Sequence, residues 1–189
     1  YDIVCTNPPY HNKYNPTLKT FMQKNYPDTK SDMYSAFIEK CFNWTTKNGY
    51  SAMMTPFTWM FITTHEKLRK HIISRGSISS LIQLEYSAFE DATVPLCTFV
   101  LQNQKYDTVG VYVRLSDFKG GMDVQAEKSK EVVMHNNNDN KFVIDDENFN
   151  IIPGAPIAYW IGNFKIFDFE KIEQKYVSGG RTKTHNNDK

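Results

Sequence analysis

Glycine is scarce in this sequence. There are nine glycines in 189 residues, and none fall into a G-x-G-x-x-G or other glycine-rich loop, so the residues present hold no nucleotide cradle of the dinucleotide-binding kind. Long apolar runs are missing too: nothing approaches the ~20 residues of a membrane span, and the N-terminal region has no signal-peptide core. The three cysteines, Cys5, Cys41 and Cys97, are widely spaced, each inside an apolar stretch. That pattern suits buried thiols in a reducing compartment, and neither a disulfide frame nor a zinc site. Net charge is nearly absent, with 22 Lys and Arg against 21 Asp and Glu, so there is no global nucleic-acid signature. What is present is a hydrophobic content of 40% and an aromatic content of 14%, enough for the core of one domain or of a piece of a larger one. The chain opens on Tyr1, directly in an apolar run, and is expected to be a fragment.

Tyr1 to Thr6 is a β-rich run stopped by Asn7-Pro8-Pro9, which predicts a strand feeding a rigid turn. A polar stretch with one short helix over 18–26 follows. Ser31 is positioned to cap a second helix, whose stripe is Tyr34, Phe37, Ile38, Cys41 and Trp44. Tyr50 to Thr55 predicts a buried strand, 58–74 a helix that turns basic, and 78–84 and 97–102 two strands joined by an irregular segment. This order predicts an α/β fold, the C-terminal half of a doubly wound sheet ending in an antiparallel hairpin. After residue 104 the spacing predicts a strand over 109–115, a charged helix over 123–134, a strand at 142–144 and a last helix near Phe164. Residues 1–104 are therefore assigned to the sheet domain and 105–189 to a small α+β extension.

Asn7-Pro8-Pro9-Tyr10 carries the chemistry. It sits at the carboxyl end of a strand, where open α/β sheets build their sites. Two prolines fix φ and remove two N–H donors, leaving nearby carbonyls free of ladder bonds. The Asn7 side-chain oxygen and the Pro8 carbonyl can then face one point as paired acceptors, with Tyr10 as a flat wall. Such a receptor fits a planar heterocycle carrying an –NH₂ group. Accepting both amine hydrogens localises a lone pair that the ring otherwise delocalises, which is preorganised electrostatic stabilisation. A base in duplex DNA reaches such a pocket only by flipping out.

An Asn-Pro-Pro-Tyr turn after a strand resembles the catalytic motif of adenine-N6 methyltransferases that use S-adenosylmethionine. Ser31-Asp32-Met33-Tyr34, Lys47 to Pro56, and Cys97 to Leu101 are similar to the elements that follow that turn in the family. Three further stretches, 18–32, 114–121 and 152–160, resemble the large phage-defence adenine methyltransferases of BREX systems (PglX type). The resemblance implies a Rossmann-like methyltransferase sheet in which Asn7, Pro8 and Tyr10 are catalytic and Pro9 and Phe89 contact the substrate base. Phe37 would border the cofactor adenine. It implies S-adenosylmethionine as cofactor, with most of its pocket upstream, so the isolated stretch is expected to be inactive. Double-stranded DNA with a flipped adenine, other defence-system subunits and a bacterial cytoplasmic location are likewise implied, with no membrane.

Competing readings stand beside these. The turn is also compatible with a helix cap and a core tyrosine, and the same motif serves RNA-adenine and glutamine methyltransferases. A non-catalytic DNA-binding or assembly module is the alternative outside the enzymes. The Tyr34-to-Trp44 stripe reads mainly as sheet-facing core. His65 and His71, six apart, have poor metal spacing and read as solvated, as do Lys67, Arg69, Lys70 and Arg75; no metal site is expected. Cys5 reads as a small buried hydrophobe.

Overall fold

The structure is a computed structural model that describes residues 1–86, 88, 94–105, 109–135 and 139–161. Among the described residues six strands form one sheet: β1 (Ile3–Thr6), β2 (Tyr50–Pro56), β3 (Ser77–Gln83), β4 (Leu96–Gln102), β5 (Gly110–Arg114) and β6 (Lys141–Ile144), in the order β1-β2-β4-β3-β5-β6. β1 and β2 are parallel, as are β3 and β5; β4 runs antiparallel to both β2 and β3, and β6 antiparallel to β5. The expected antiparallel relation of β3 and β4 is present, and β4 is wedged between β2 and β3. It pairs with β2 from Tyr50↔Gln102 to Pro56↔Leu96. Its burial alternates, with Cys97, Phe99 and Leu101 on the helix-covered side and Thr98 and Val100 half-buried on the other. Because β5 pairs with β3, residues on both sides of 104 share this sheet.

Three helices precede β3: α1 (Pro16–Asn25), α2 (Met33–Trp44) and α3 (Glu66–Arg75); a fourth, α4 (Gly121–Met134), precedes β6. Ile38 and Phe42 of α2 and Leu68 and Ile72 of α3 pack with Met53, Leu81, Phe99 and Tyr112 on one sheet face. Val132 of α4 packs with the alternate residues Leu96 and Val113, and so covers part of the other face. Asp32, in extended conformation, caps α2 through its carboxylate on the Tyr34 amide at 3.4 Å. Ser31 does not cap it.

The region expected as one helix over 58–74 begins as two 3₁₀ turns, Phe57–Met60 and Thr63–His65, and becomes α-helical only at Glu66. Arg69 gives the reason. It is 1% exposed and donates at 2.8 Å to each of the Trp59 and Ile62 carbonyls, and at 2.7–3.1 Å to the carbonyls of Gly154 and Ala155. A guanidinium with five fixed donors thus occupies carbonyls that a continuous helix would have used. Gly154, at φ +82°, makes the turn that brings its carbonyl there. Arg69 is therefore core, not solvated face, whereas Lys67 and Lys70 are exposed and pair with Asp28 and Glu66. His65 is buried and His71 half-buried, against the solvated reading of both. Trp44 is half exposed and lies at the edge of the core, not in it. Cys5 is exposed, because Val4 takes the helix-facing side of β1 and its neighbour must point the other way. Phe89 and the segment from Phe164 lie outside the described residues.

Two buried titratable groups pull stability in opposite directions. Asp146 accepts from the Tyr112 hydroxyl and the Ile78 amide; burial nonetheless raises its pKa to about 6. Burial, then the Arg69 charge, lowers His65 to about 4. The Asp146 contribution is complete below the ordinary carboxylate pKa and lost as pH rises through about 6. That of His65 is present above the ordinary imidazole pKa and lost as pH falls through about 4. The two offset one another between these limits. Asp146→Asn removes the charge and can keep both contacts, its oxygen accepting from the Ile78 amide and its NH₂ donating to the Tyr112 hydroxyl oxygen. It should raise stability at pH 7, by on the order of 3 kcal/mol, and leave only the acid-side fall due to His65. Urea unfolding at several pH values checks this; curves parallel to wild type would contradict it.

Candidate active site

β1 ends at Thr6, and the two prolines that follow force the chain out of the sheet. Pro8 is buried, anchoring the turn, while Asn7, Pro9 and Tyr10 are exposed. The Tyr10 hydroxyl lies 2.9 Å from Asn7 Oδ1 and 3.1 Å from the Met54 carbonyl at the end of β2. One proton shared between two acceptors ties the turn to the neighbouring strand and fixes the Asn7 amide plane. An amide oxygen has two lone pairs, so Asn7 Oδ1 keeps one for an incoming donor. The Pro8 carbonyl has no hydrogen-bond partner among the described residues. Burial, then Cys97, raises the Tyr10 pKa, which keeps its hydroxyl a donor at neutral pH.

Tyr10 is supported from below. The Tyr34 ring meets it edge-on, with centroids 6.2 Å apart and planes at 88°, which sets the tilt of the Tyr10 face. Tyr34 is buried, and its hydroxyl lies 2.9 Å from Thr58 Oγ1 and 3.1 Å from His65 Nε2. Desolvation drives the Tyr34 pKa up and holds His65 neutral, so this chain of contacts carries no charge at pH 7. Its members come from α2, the first 3₁₀ turn and the second, and only their helical or basic setting is visible in sequence. The link to Tyr10 is not.

The other nominated residues are placed differently. Phe37, 37% exposed, lines an apolar hollow of about 280 Å³ between α1 and α2 with Leu18, Phe21 and Trp44; none of residues 7–10 takes part. That hollow fits the flat apolar part of a purine nucleoside. The polar anchors that a ribose and an amino-acid group need are not assembled there, Lys40 being the one charged residue of its wall. A second hollow, about 470 Å³, lies beside Asn7 on a part of the sheet that no helix among the described residues covers, with Cys5, Ala52, Met54, Thr98 and Val100 in its floor. The structure thus brings Asn7, Pro8 and Tyr10 together, adds Met54, Tyr34, Thr58 and His65 behind them, and leaves Phe37 in a separate groove.

The Asn7–Tyr10 turn closes the carboxyl end of β1 in an open α/β sheet, and known proteins share this sequence and this fold. Residues 1–89 match the Eco57I restriction-modification methylase family. The chain is a homologue of the adenine-specific methyltransferase PglX of Lacticaseibacillus casei (strain Zhang), at 37% identity over 175 residues covering 88% of the chain and 14% of that protein. It is likewise homologous to the adenine-specific methyltransferase BrxX of Escherichia coli O9:H4 (strain HS), at 31% identity over 91% of the chain and 14% of that protein. The chain therefore spans about one seventh of the length of these relatives. Among solved structures, the type I restriction-modification methyltransferase subunit of Streptococcus thermophilus shares the fold, with TM-score 0.63 at 17% identity over 82% of this chain and 37% of that one. The Rossmann-like methyltransferase sheet expected from sequence is thereby shown.

Proposed function

We propose that this stretch carries the amine-binding turn of an S-adenosylmethionine-dependent DNA methyltransferase. The substrate is N6 of an adenine flipped from the duplex, and the role is self-marking of host DNA in restriction-modification or BREX-type phage defence. The observation that supports this reading most is the lock between Asn7 Oδ1 and the Tyr10 hydroxyl at 2.9 Å, beside a Pro8 carbonyl without a partner among the described residues. S-adenosylmethionine, when bound, supplies an electrophilic methyl group. The residues here do the rest of what can be assigned to them. Asn7 Oδ1 and the Pro8 carbonyl each accept one N6 hydrogen, which pulls the nitrogen toward tetrahedral geometry and directs its lone pair outward. Tyr10, held by Met54 and braced by Tyr34, stacks on the extruded base and excludes water from one of its faces. Phe37 and Phe89 are proposed to border the cofactor adenine and the far face of the base.

The test is to offer the full-length protein duplex DNA, RNA and a glutamine-containing peptide with methyl-labelled S-adenosylmethionine, and to identify the product by mass spectrometry. N6-methyladenine in DNA is expected. Label only in RNA or in peptide amide would assign the same turn to another substrate, and no label at all would leave a non-catalytic module.

A further inference from the structure

Directly after Tyr10 the chain forms one wall of a polar cleft of about 400 Å³, whose other walls are the start of α1 and the loop that leads into α2. Lys13, Lys19 and Lys30 ring it, all exposed, and none has an ion-pair or hydrogen-bond partner among the described residues. Between them sit two hydroxyls, Tyr14 Oη and Ser31 Oγ. Both atoms are shut off from bulk solvent and neither has a hydrogen-bond partner among the described residues. A hydroxyl buried without a partner costs free energy unless something fills the site, and two in one cleft point to a ligand that accepts hydrogen bonds. Burial, then the nearby Asp32, pushes the Tyr14 pKa up to about 12, so it remains a donor. Asp32 is the neighbouring carboxylate, and it is engaged as the α2 cap. Three cations against one carboxylate leave the cleft positive.

The walls are fixed in advance. The Met33 amide donates to the His11 carbonyl at 2.9 Å, joining the loop after the motif to α2. Ser35 Oγ donates to the Thr29 carbonyl at 2.6 Å, and Thr29 Oγ1 to Glu39 at 2.6 Å, pinning the loop that carries Lys30 and Ser31. Lys13 lies three residues past Tyr10, so their Cα atoms are at most about 11 Å apart. That is a separation of one or two nucleotides along an extruded strand.

We infer that this cleft is a subsite for a backbone phosphate of the DNA strand that carries the flipped adenine, with Lys13, Lys19 and Lys30 as its cations and the Tyr14 and Ser31 hydroxyls as its donors. The inference rests on the methyltransferase reading above and adds the contact that sets the strand's register against the Asn7–Tyr10 turn. The test is DNA affinity of the full-length protein as a function of salt. Changing Lys13, Lys19 and Lys30 together to alanine should lower the slope of log K against log salt by about one, and weaken binding at low salt about tenfold or more whatever the sequence. Tyr14→Phe and Ser31→Ala should each weaken binding about three- to tenfold without altering the slope. A neutral methylphosphonate linkage beside the target adenine should weaken wild type and leave the triple variant unaffected. Asn7→Ala should keep the wild-type slope. If wild type methylates DNA but the triple variant keeps its slope, or if a control triple at Lys24, Lys47 and Lys119 loses as much, the subsite is wrong while the catalytic reading stands. If wild type binds no DNA, both fall.

Discussion

Asn7→Ala in the full-length protein is expected to lower methyl transfer to DNA adenine about 10²- to 10³-fold in kcat, the loss typical of removing one preorganised partner of the reacting group. KM for DNA should change little, because the amide acts on the amine hydrogens as the nitrogen becomes nucleophilic and not on the duplex as a whole. Folding should survive. Asn7 is exposed, and the Tyr10 hydroxyl retains the Met54 carbonyl when the amide is gone. Asn7→Asp keeps an acceptor oxygen at the Oδ1 position and should restore much of the rate. A turn that were merely a rigid corner would treat Asp and Ala alike. Single-turnover assays on a fixed duplex separate the cases, and equal rates for wild type and Asn7→Ala would remove Asn7 from the chemistry.

The second large effect is structural. Arg69→Met should destabilise the protein on the order of 3–5 kcal/mol, although methionine fills most of the space. The carbonyls of Trp59, Gly154 and Ala155 take their hydrogen bonds from this one guanidinium and lose them with it, while the Ile62 carbonyl keeps only the His65 amide. Arg69→Lys keeps the charge but offers one nitrogen where three are used, so it should recover little. The loss should be local at first. Protection of the Ile157 amide, which donates to the Met60 carbonyl at 2.9 Å, should collapse in hydrogen exchange before that of the central strand β4. A thermal midpoint unchanged from wild type in Arg69→Met would show that water can replace the guanidinium.

Much of this architecture is legible from local pattern. The alternation in Val109–Leu115 gives β5, the Tyr34, Ile38 and Cys41 spacing gives the buried face of α2, and Pro8-Pro9 ends β1 where the structure ends it. What escapes is decided by partners far away in sequence. The wedging of β4 between β2 and β3 follows from pairing along all seven residues of β2, which no window around 96–102 contains. Ser31 and Asp32 are equally good caps on paper; backbone geometry selects Asp32. Arg69 hides in a basic run, yet Leu68, Ile72 and Ile73 mark the buried face it belongs to, and that spacing is the signal that an arginine was being placed inside. The site divides in the same way. Asn7, Pro8 and Tyr10 are adjacent in the chain and stand out by composition alone. The brace behind them, Tyr34 with Thr58 and His65, is assembled across thirty residues and has no local signature.

The geometry at the amine is open to direct observation in the full-length protein bound to a duplex containing its target adenine, determined by crystallography or electron cryomicroscopy. An extruded adenine is expected against the Tyr10 ring, with N6 about 2.7–3.2 Å from both Asn7 Oδ1 and the Pro8 carbonyl oxygen. An adenine still stacked in the duplex, or an extruded one whose N6 faces away from those two oxygens, would contradict it.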